Sequence, residues 1–597
     1  MNYIPLKEIV SSLQNIPEQS TVESQPAKKI EISKKTLVLI SIGFLSVVLS
    51  LGIPLGVVVQ TNHYEAKFKK DLASYIQNLP DVHLQLSNSA ILHNNPDILE
   101  FLLKNQPENE AIAKNLPDVH LELLESAILR NNPDVLEFIL KNQPKNETIA
   151  KELVSEALFL AVELDNLGMA ENLIKSGANV STKNDLKETP IHLASSAKMI
   201  KLLIDHGSDP NDQDLNGGSA LHKDKDVETT VELIENGANI NTKNKRNVTT
   251  LMAFASFGKP EVVKVLIENG AKVNDVDYYL RTPLHYASKG KSDGKDRAYI
   301  AEILLQNQAK VDAIDKWPND TSLHYACKNG DLEVVKVLLK HDANPNAENV
   351  IHQTPLIYLS QFSRKSDEKI RAQIAEVLLQ HGANVNAVYN DNTTSLHFAC
   401  RNEVLEVVKV LIKHGANPNA QRYDETPIFE TKDPEIATFL LQHGASVDHQ
   451  GEGHGDNTRL CVAARSEDIE MTKVLLNYGA NPNITCHWNR TALQMATFAP
   501  AHYDWMKEVE LRNKKIVENR TELIELLLKH GAKVDVTDWK MKTPLHYVAY
   551  EGNPSEAKLL IDYGANVHAK STDGKTPLDV AFDKKNEDLI NFLKQYQ

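Results

Sequence analysis

A short signature that returns along the carboxy-terminal two thirds of the chain limits its fold more than any other feature. A Thr followed at the second position by an apolar residue recurs eleven times, and Ser219 takes the same place once. The eleven are Thr189, Thr249, Thr282, Thr321, Thr354, Thr394, Thr426, Thr458, Thr491, Thr543 and Thr576. Several neighbours, such as Thr249 and Thr282, are 33 residues apart. A recurring period of this length predicts stacked units rather than one compact core.

The residues around each Thr predict a helix, a turn, a second helix and an extended connector. A Thr hydroxyl caps free N–H groups at a helix start, and the Pro that often follows has no donor to lose. Residues 333–339 (EVVKVLL) carry apolar side chains at helical spacing. A Gly then takes the left-handed cap. That Gly is Gly177, Gly207, Gly237, Gly270, Gly382, Gly415, Gly444, Gly479, Gly531 or Gly564, while Gln308 and Asp342 fill the two remaining places.

Two stretches come close to one another and to a fuller signature, 282–287 (TPLHYA) and 543–548 (TPLHYV), the latter with Ala549 following. They resemble the ankyrin-repeat family, whose repeat includes T-P-L-H-x-A. The resemblance implies an all-α ankyrin-repeat solenoid of stacked helix-turn-helix pairs with hairpin-like connectors. It covers residues 178–597, as an array of about 12 repeats. With its uneven repeats and a membrane tether, such an array resembles the ankyrin arrays of intracellular bacteria.

A duplication precedes this array. Residues 78–114 recur as 115–151 with 29 of 37 positions identical. Residues 127–140 also align without gaps on 326–339, so we expect 78–177 to form degenerate ankyrin-like helix pairs. This brings the expected total to about fifteen pairs.

Residues 37–59 carry no charge over 23 positions, which is long enough for a helix to cross a bilayer. A buried core helix and a cleaved signal peptide are the alternatives. We expect one transmembrane helix, between a polar flexible tail (1–36) and a juxtamembrane linker (60–77). Four lysines flank its amino side and three the other, so its orientation is poorly encoded.

The charge and the cysteines narrow the function. Lys+Arg 65 against Asp+Glu 80 gives a net charge of −15, which argues against nucleic-acid binding. The four cysteines form no CxxC pair, so we expect unpaired thiols in a reducing, cytosolic compartment.

Six histidines lie three residues after the Thr or Ser position, where they would hydrogen-bond the turn and the cap. They are His192, His222, His285, His324, His397 and His546.

No nucleophile and base can be paired from the sequence, and no metal or cofactor site is expected. We therefore expect a membrane-anchored scaffold for protein partners, without catalysis or a small-molecule substrate. The alternative is an enzyme or enzyme regulator that uses the insertion at 498–520 as an active or inhibitory site.

Six of the twelve connectors carry a large aromatic residue at one structural place, three to five residues before the Thr. Trp505 in the insertion would be a seventh contact. We call these residues the aromatic ridge: Tyr278, Trp317, Tyr389, Tyr423, Trp488, Trp505 and Trp539. The alternative is that each ring only packs on its neighbouring connector. Because Trp and Tyr dominate binding hot spots, we predict that the ridge contacts a partner.

Overall fold

The computed structural model of the chain describes residues 116–141, 146–290, 292–423, 425–451, 457–498, 510–551 and 553–596. The expected tail (1–36), transmembrane helix (37–59), linker (60–77) and first copy of the duplication (78–114) lie outside these residues. Two compact units divide the chain, Met1–Asn179 and Val180–Gln597. None of the described helices is long and apolar enough to cross a membrane.

The described part of the first unit contains two helix pairs. They are α1 (Leu116–Leu129), α2 (Pro133–Lys141), α3 (Glu147–Glu163) and α4 (Leu167–Lys175). In the gapless alignment of 127–140 with 326–339, α2 corresponds to the helix Leu332–Lys340 of the second unit. Both helices have nine residues. At the turn before it, Asn131 takes the left-handed conformation that Gly330 takes in the second unit.

The described part of the second unit contains twelve pairs. A 3₁₀ turn at Ala220–His222 replaces the first helix of the second pair. The helices are α5 (Pro190–Leu193), α6 (Ala197–Asp205), α7 (Val227–Glu235), α8 (Thr250–Phe257), α9 (Pro260–Glu268), α10 (Pro283–Lys289), α11 (Gly294–Gln306), α12 (Ser322–Asn329), α13 (Leu332–Lys340), α14 (Pro355–Gln361), α15 (Glu368–Gln380), α16 (Ser395–Arg401), α17 (Leu405–Lys413), α18 (Pro427–Glu430), α19 (Pro434–Gln442), α20 (Arg459–Arg465), α21 (Ile469–Asn477), α22 (Ala492–Thr497), α23 (Glu510–Lys529), α24 (Pro544–Glu551), α25 (Pro554–Asp562), α26 (Pro577–Asp583) and α27 (Glu587–Leu593).

Strands are almost absent from the described residues. Two of them, β1 (Gln450–Gly451) and β2 (Asn457–Thr458), pair in an antiparallel arrangement. Further 3₁₀ turns lie at Lys365–Asp367, His487–Asn489 and Lys594–Tyr596.

Every first helix of the second unit begins one residue after the predicted Thr or Ser. At Thr249, for example, Oγ1 accepts the N–H of Met252 at 3.3 Å. First helices pack on first helices of the next pair and second helices on second helices. One apolar cluster extends from Leu251 to Leu593, because no single pair can bury its own apolar face. The predicted helical solenoid is confirmed.

The second helices end as predicted. The ten glycines at these ends all have positive φ angles, between 82° at Gly479 and 96° at Gly177. Gln308 and Asp342 take the same conformation, with φ of 65° and 62°. The turn geometry is therefore kept even where a side chain makes it costly.

In the longer repeats, the additional residues extend the second helix. The repeats that start at Thr282, Thr354 and Thr491 have second helices of 13, 13 and 20 residues, against nine in α9 and α13. In the 498–520 insertion, residues 510–520 extend α23 at its amino end, and residues 499–509 lie outside the described chain.

Two short repeats are completed by a buried cation from the following repeat. Helices α5 and α18 have only four residues, which leaves carbonyl groups without helical donors. Lys225 Nζ donates to the carbonyls of His192, at 3.0 Å, and of Ala194. Arg459 donates to the carbonyls of Ile428 and Thr431 at 3.2 and 2.8 Å. In each case a charged side chain replaces the missing helical turn.

Candidate protein-interaction site

Three connectors of the aromatic ridge are tight turns held from inside by a buried aspartate: Asp277, Asp315 and Asp538. Asp277 Oδ1 accepts the N–H groups of Tyr279 and Arg281 at 2.8 and 2.9 Å. Its Oδ2 accepts the Tyr286 hydroxyl at 2.9 Å. Asp277 is buried, so the turn points its intervening residues outward.

Backbone hydrogen bonds join neighbouring connector tips. Tyr278 N–H donates to the Arg246 carbonyl at 2.9 Å, and Lys316 N–H donates to the Tyr279 carbonyl at 2.7 Å. Val350 N–H then reaches the Pro318 carbonyl at 2.9 Å. These bonds fix the order and spacing of the tips without using any aromatic side chain.

Five members of the aromatic ridge lie largely in solvent. The exposed fraction of each residue is 58% for Tyr278, 73% for Trp317, 65% for Tyr423, 54% for Trp488 and 59% for Trp539. Isolated exposed rings are ordinary, but five at equivalent tips of one array form a repeated surface feature.

The other two members differ. Tyr389 is half-buried, with its ring centroid 6.4 Å from that of Phe398, so its environment is nearer to the packing alternative. Trp505 lies outside the described residues.

Basic side chains lie over several exposed rings. The Nζ atoms of Lys316 and Lys540 are each 4.6 Å from the ring centroids of Tyr278 and Trp539. The Arg490 guanidinium carbon is 5.0 Å from the Trp488 ring. Cation–π contacts of this kind hold the rings while leaving most of their area exposed.

The predicted histidine role is confirmed, and each ring does more than expected. Thr282 N–H donates to His285 Nδ1 at 3.1 Å, and Thr282 Oγ1 lies 2.9 Å from the same nitrogen. Nε2 lies 3.1 Å from the Asp320 carbonyl in the next connector. All six histidines make this link, with partners Gly218, Val248, Asp320, Gln353, Glu425 and Lys575. Burial is the main cause that lowers the pKa of each of them.

An asparagine ladder beneath the tips was missed by the sequence analysis. Asn346 Nδ2 donates to the Gly382 carbonyl at 2.8 Å, while its Oδ1 accepts the Asn384 N–H at 2.7 Å. Six further asparagines make the same pair of hydrogen bonds: Asn211, Asn241, Asn274, Asn386, Asn419 and Asn483. The signal was available, because each Asn follows the helix-ending residue by a constant four positions.

The expectation of four unpaired thiols is wrong for one pair. Cys461 and Cys486 form a disulfide with a sequence separation of 25. Cys461 takes the histidine position of its repeat and Cys486 lies in the next connector, so a covalent bond replaces the histidine link. The search for CxxC missed this because the repeat, not local spacing, brings the two residues together. These two cysteines therefore no longer support the expectation of a reducing compartment.

Cys327 and Cys400 are free and buried, as expected for small residues between helices. Burial strongly raises the pKa of both thiols, which makes them poor nucleophiles. Among the described residues, no group of three or more His, Cys, Asp and Glu side chains could hold a metal ion.

Comparison with known families agrees with this geometry. A family model described as "Ankyrin repeats (3 copies)" matches residues 158–224, 219–315, 295–387, 352–422, 370–451 and 515–597. The chain belongs to the ankyrin-repeat family. A second ankyrin-repeat model, for many copies, matches residues 440–496.

Curated ankyrin-repeat relatives match parts of the chain. Transient receptor potential cation channel subfamily A member 1 of Homo sapiens is 22% identical over 417 residues, 67% of this chain and 32% of the relative. Putative ankyrin repeat protein FPV244 of Fowlpox virus is 35% identical over 137 residues, 22% of this chain and 20% of the relative. SH3 and multiple ankyrin repeat domains protein 2 of Homo sapiens is 29% identical over 228 residues, 37% of this chain and 12% of the relative. The chain thus spans a third or less of the length of these relatives.

Proposed function

We propose that this protein is a non-catalytic scaffold that binds protein partners through the aromatic ridge and is anchored in a membrane by residues 37–59. The observation that carries the proposal is the exposure of five ridge rings at equivalent connector tips. Buried carboxylates, the histidine links and the asparagine ladder already hold the connectors. The rings are therefore available to a partner at little cost to the fold.

Aromatic side chains suit this role because they bury a large area while losing little conformational entropy. The tip hydrogen bonds hold the connectors of Tyr278 and Trp317 in fixed order, so a partner meets a preorganised surface there. Tyr389, half-buried beside Phe398, should contribute least to binding.

The test uses the triple variant W317A/W488A/W539A of the full chain. Proteins captured by the wild-type chain are quantified, and the melting temperature of both chains is measured. We expect captured partners to fall at least tenfold with the melting temperature unchanged. The control Y299A/Y478A/Y563A removes three exposed rings away from the connector tips and should capture partners normally. A lower melting temperature with unchanged capture would mean that the rings only pack.

The anchor is tested by deleting residues 37–59. We expect the protein to move from carbonate-resistant membranes to the soluble fraction, because the deletion removes the apolar span. Unchanged fractionation would contradict the anchor and leave the partner-binding proposal standing.

A further inference from the structure

The disulfide lies in a connector that lacks the internal support of its neighbours. Seven other connectors carry an Asp or Asn whose side-chain oxygen accepts two N–H groups of the turn, and we call such a side chain a turn brace. The turn braces are Asn184, Asp214, Asn244, Asp277, Asp315, Asn349 and Asp538. Cys486 takes this position in the connector 486–490, five residues before Thr491, as six of the seven braces lie five residues before their Thr or Ser. Because sulfur is a weak hydrogen-bond acceptor, this connector has no equivalent of the brace.

The backbone of this turn is also unusual. Trp488 has a φ of 60° and Asn489 a φ of 56°, so two successive residues are left-handed. In the six braced connectors of the same length only the fourth residue has a positive φ, as at Leu280 and Met541. The left-handed region is unfavourable for a residue with a side chain. Contacts outside the turn must therefore keep Trp488 in its conformation.

Few hydrogen bonds hold the tip of this connector. Cys486 N–H donates to the Arg490 carbonyl at 2.6 Å within the turn, and His487 N–H donates to Asn457 Oδ1 at 3.3 Å. Other tips are joined by backbone bonds, but within the described residues none joins 486–490 to the connector of Trp539. The disulfide is therefore the covalent link between this turn and α20, the first helix of the preceding repeat.

The carboxy end of the turn is held by contacts that involve no sulfur. Arg490 is 7% exposed, and its Nε lies 3.9 Å from Asp538 Oδ2. Its guanidinium carbon lies 4.3 Å from the Phe498 ring centroid and 5.0 Å from that of Tyr547. These contacts remain when the disulfide is broken. Breaking it therefore releases residues 486–489 and not the whole repeat.

The redox step exchanges one disulfide for another. Cys461 and Cys486 are 2% and 4% exposed, so a reductant reaches the bond when the connector opens locally. One thiolate of a dithiol reductant attacks a protein sulfur and forms a mixed disulfide, and the second thiol of the reductant then displaces that sulfur. Two electrons and two protons pass to the protein, which keeps two thiols, and the reductant leaves as a disulfide.

We propose that the Cys461–Cys486 bond is a redox switch for Trp488. In the oxidised chain the disulfide holds the turn, and Trp488 is presented as one of the exposed rings of the aromatic ridge. In the chain reduced by a dithiol the turn has neither disulfide nor brace, so Trp488 leaves its left-handed conformation and loses its fixed position. This inference rests on the proposed function, because it names a regulator of the aromatic ridge.

The first test follows Trp488 directly and needs no partner. The chain has four tryptophans, so the full-length variant W317F/W505F/W539F keeps Trp488 alone. Time-resolved fluorescence anisotropy is measured before and after reduction by dithiothreitol, and we expect the amplitude of fast local motion to increase at least twofold. The matched control W317F/W488F/W505F keeps only Trp539, whose turn is braced by Asp538, and should not respond.

The second test compares partner capture by fixed forms of the switch, with no reductant present. The variant C461S/C486S cannot form the bond and represents the open form. The variant C461H/C486D supplies the histidine link and the turn brace of other repeats, so it holds the turn without a disulfide. We expect capture at least threefold below that of the oxidised wild type for C461S/C486S, and within twofold of it for C461H/C486D. If C461S/C486S does not fold, wild type captured before and after reduction replaces it, with C461H/C486D as the variant that should not respond.

Two outcomes of the first test would overturn the proposal. One is an unchanged Trp488 signal after both thiols have become reactive. The other is an equal response of Trp488 and Trp539, which would mean that the array loosens as a whole.

Partner capture separates the switch from the proposed function. Equal capture by the oxidised wild type and C461S/C486S, while W317A/W488A/W539A loses its partners, would reject the switch and leave the scaffold function standing. Equal losses with C461S/C486S and C461H/C486D would also reject it, because the second variant keeps the turn closed. If the triple variant keeps its partners, the aromatic ridge fails as a binding surface, and with it the regulation proposed for it.

Discussion

At the scale of single residues, buried cations show how uneven repeats keep one fold. Lys225 is 5% exposed and bonds to two carbonyls at the end of the four-residue helix α5. Burial is the main cause that lowers the pKa of Lys225 to about 8, from the usual 10.5. The buried charge therefore costs stability at neutral pH, although the amine completes the hydrogen bonds of a truncated helix.

The lowered pKa predicts how stability changes with pH. Between pH 8 and 10.5 the unfolded chain holds a proton on Lys225 that the folded chain has released. Stability therefore rises with pH across this window, by roughly 3 kcal/mol at most for this group. We expect denaturant titrations at pH 7.5 and 10 to show a larger increase for wild type than for K225M. A variant of an exposed lysine, K201M, should behave as wild type, and identical increases in all three proteins would contradict the assignment.

At the scale of elements, the residue that follows the Thr or Ser by three ties the first helix to the next connector in eight of the twelve repeats. Histidine does this six times. Gln494 does it once, donating to the Lys542 carbonyl at 2.8 Å. Cys461 does it through its disulfide with Cys486. In these eight repeats the link is therefore kept although the residue type changes.

The disulfide predicts a thiol count. After refolding in a glutathione redox buffer, the denatured chain should show two alkylatable thiols, and all four of its cysteines after reduction. Closing a loop of this length contributes about 3 kcal/mol, so a reductant should lower the denaturant midpoint. The variant C461H/C486A restores the histidine of the other repeats and should not respond to reductant. Four reactive thiols before reduction would contradict the pairing.

At the scale of the whole molecule, the sequence predicted what the repeat period encodes. All eleven first helices of the second unit, and the 3₁₀ turn after Ser219, begin after the expected Thr or Ser, because the cap, the Pro and the apolar spacing act locally. Contacts between repeats were harder to predict, since Asn346 and Cys486 act on partners about one repeat away. For the aromatic ridge, the positions of the rings could be predicted from the repeat, but the half-burial of Tyr389 depends on Phe398 of its own first helix.

The six histidine links predict that acid weakens the array as a whole. Each ring is neutral when folded, because Nδ1 accepts a backbone N–H and burial lowers its pKa. Below about pH 6.5 the unfolded chain binds protons at these histidines that the folded chain does not bind. The free energy of unfolding therefore falls as the pH falls, by roughly 1.4 kcal/mol per pH unit for each histidine. Glutamine makes the same link without titrating, as Gln494 demonstrates.

The variant H285Q/H324Q should therefore lose less stability than wild type between pH 7 and 5.5, by about 1 kcal/mol per replaced histidine in denaturant titrations. The control H206Q/H381Q replaces two exposed histidines that only bond a carbonyl of their own helix, so it should follow wild type. If H285Q/H324Q is as acid-sensitive as the control, the loss comes from carboxylates elsewhere in the array. A reduced loss confined to H285Q/H324Q would assign the acid response to the links that hold each connector, and with it each exposed ring, in place.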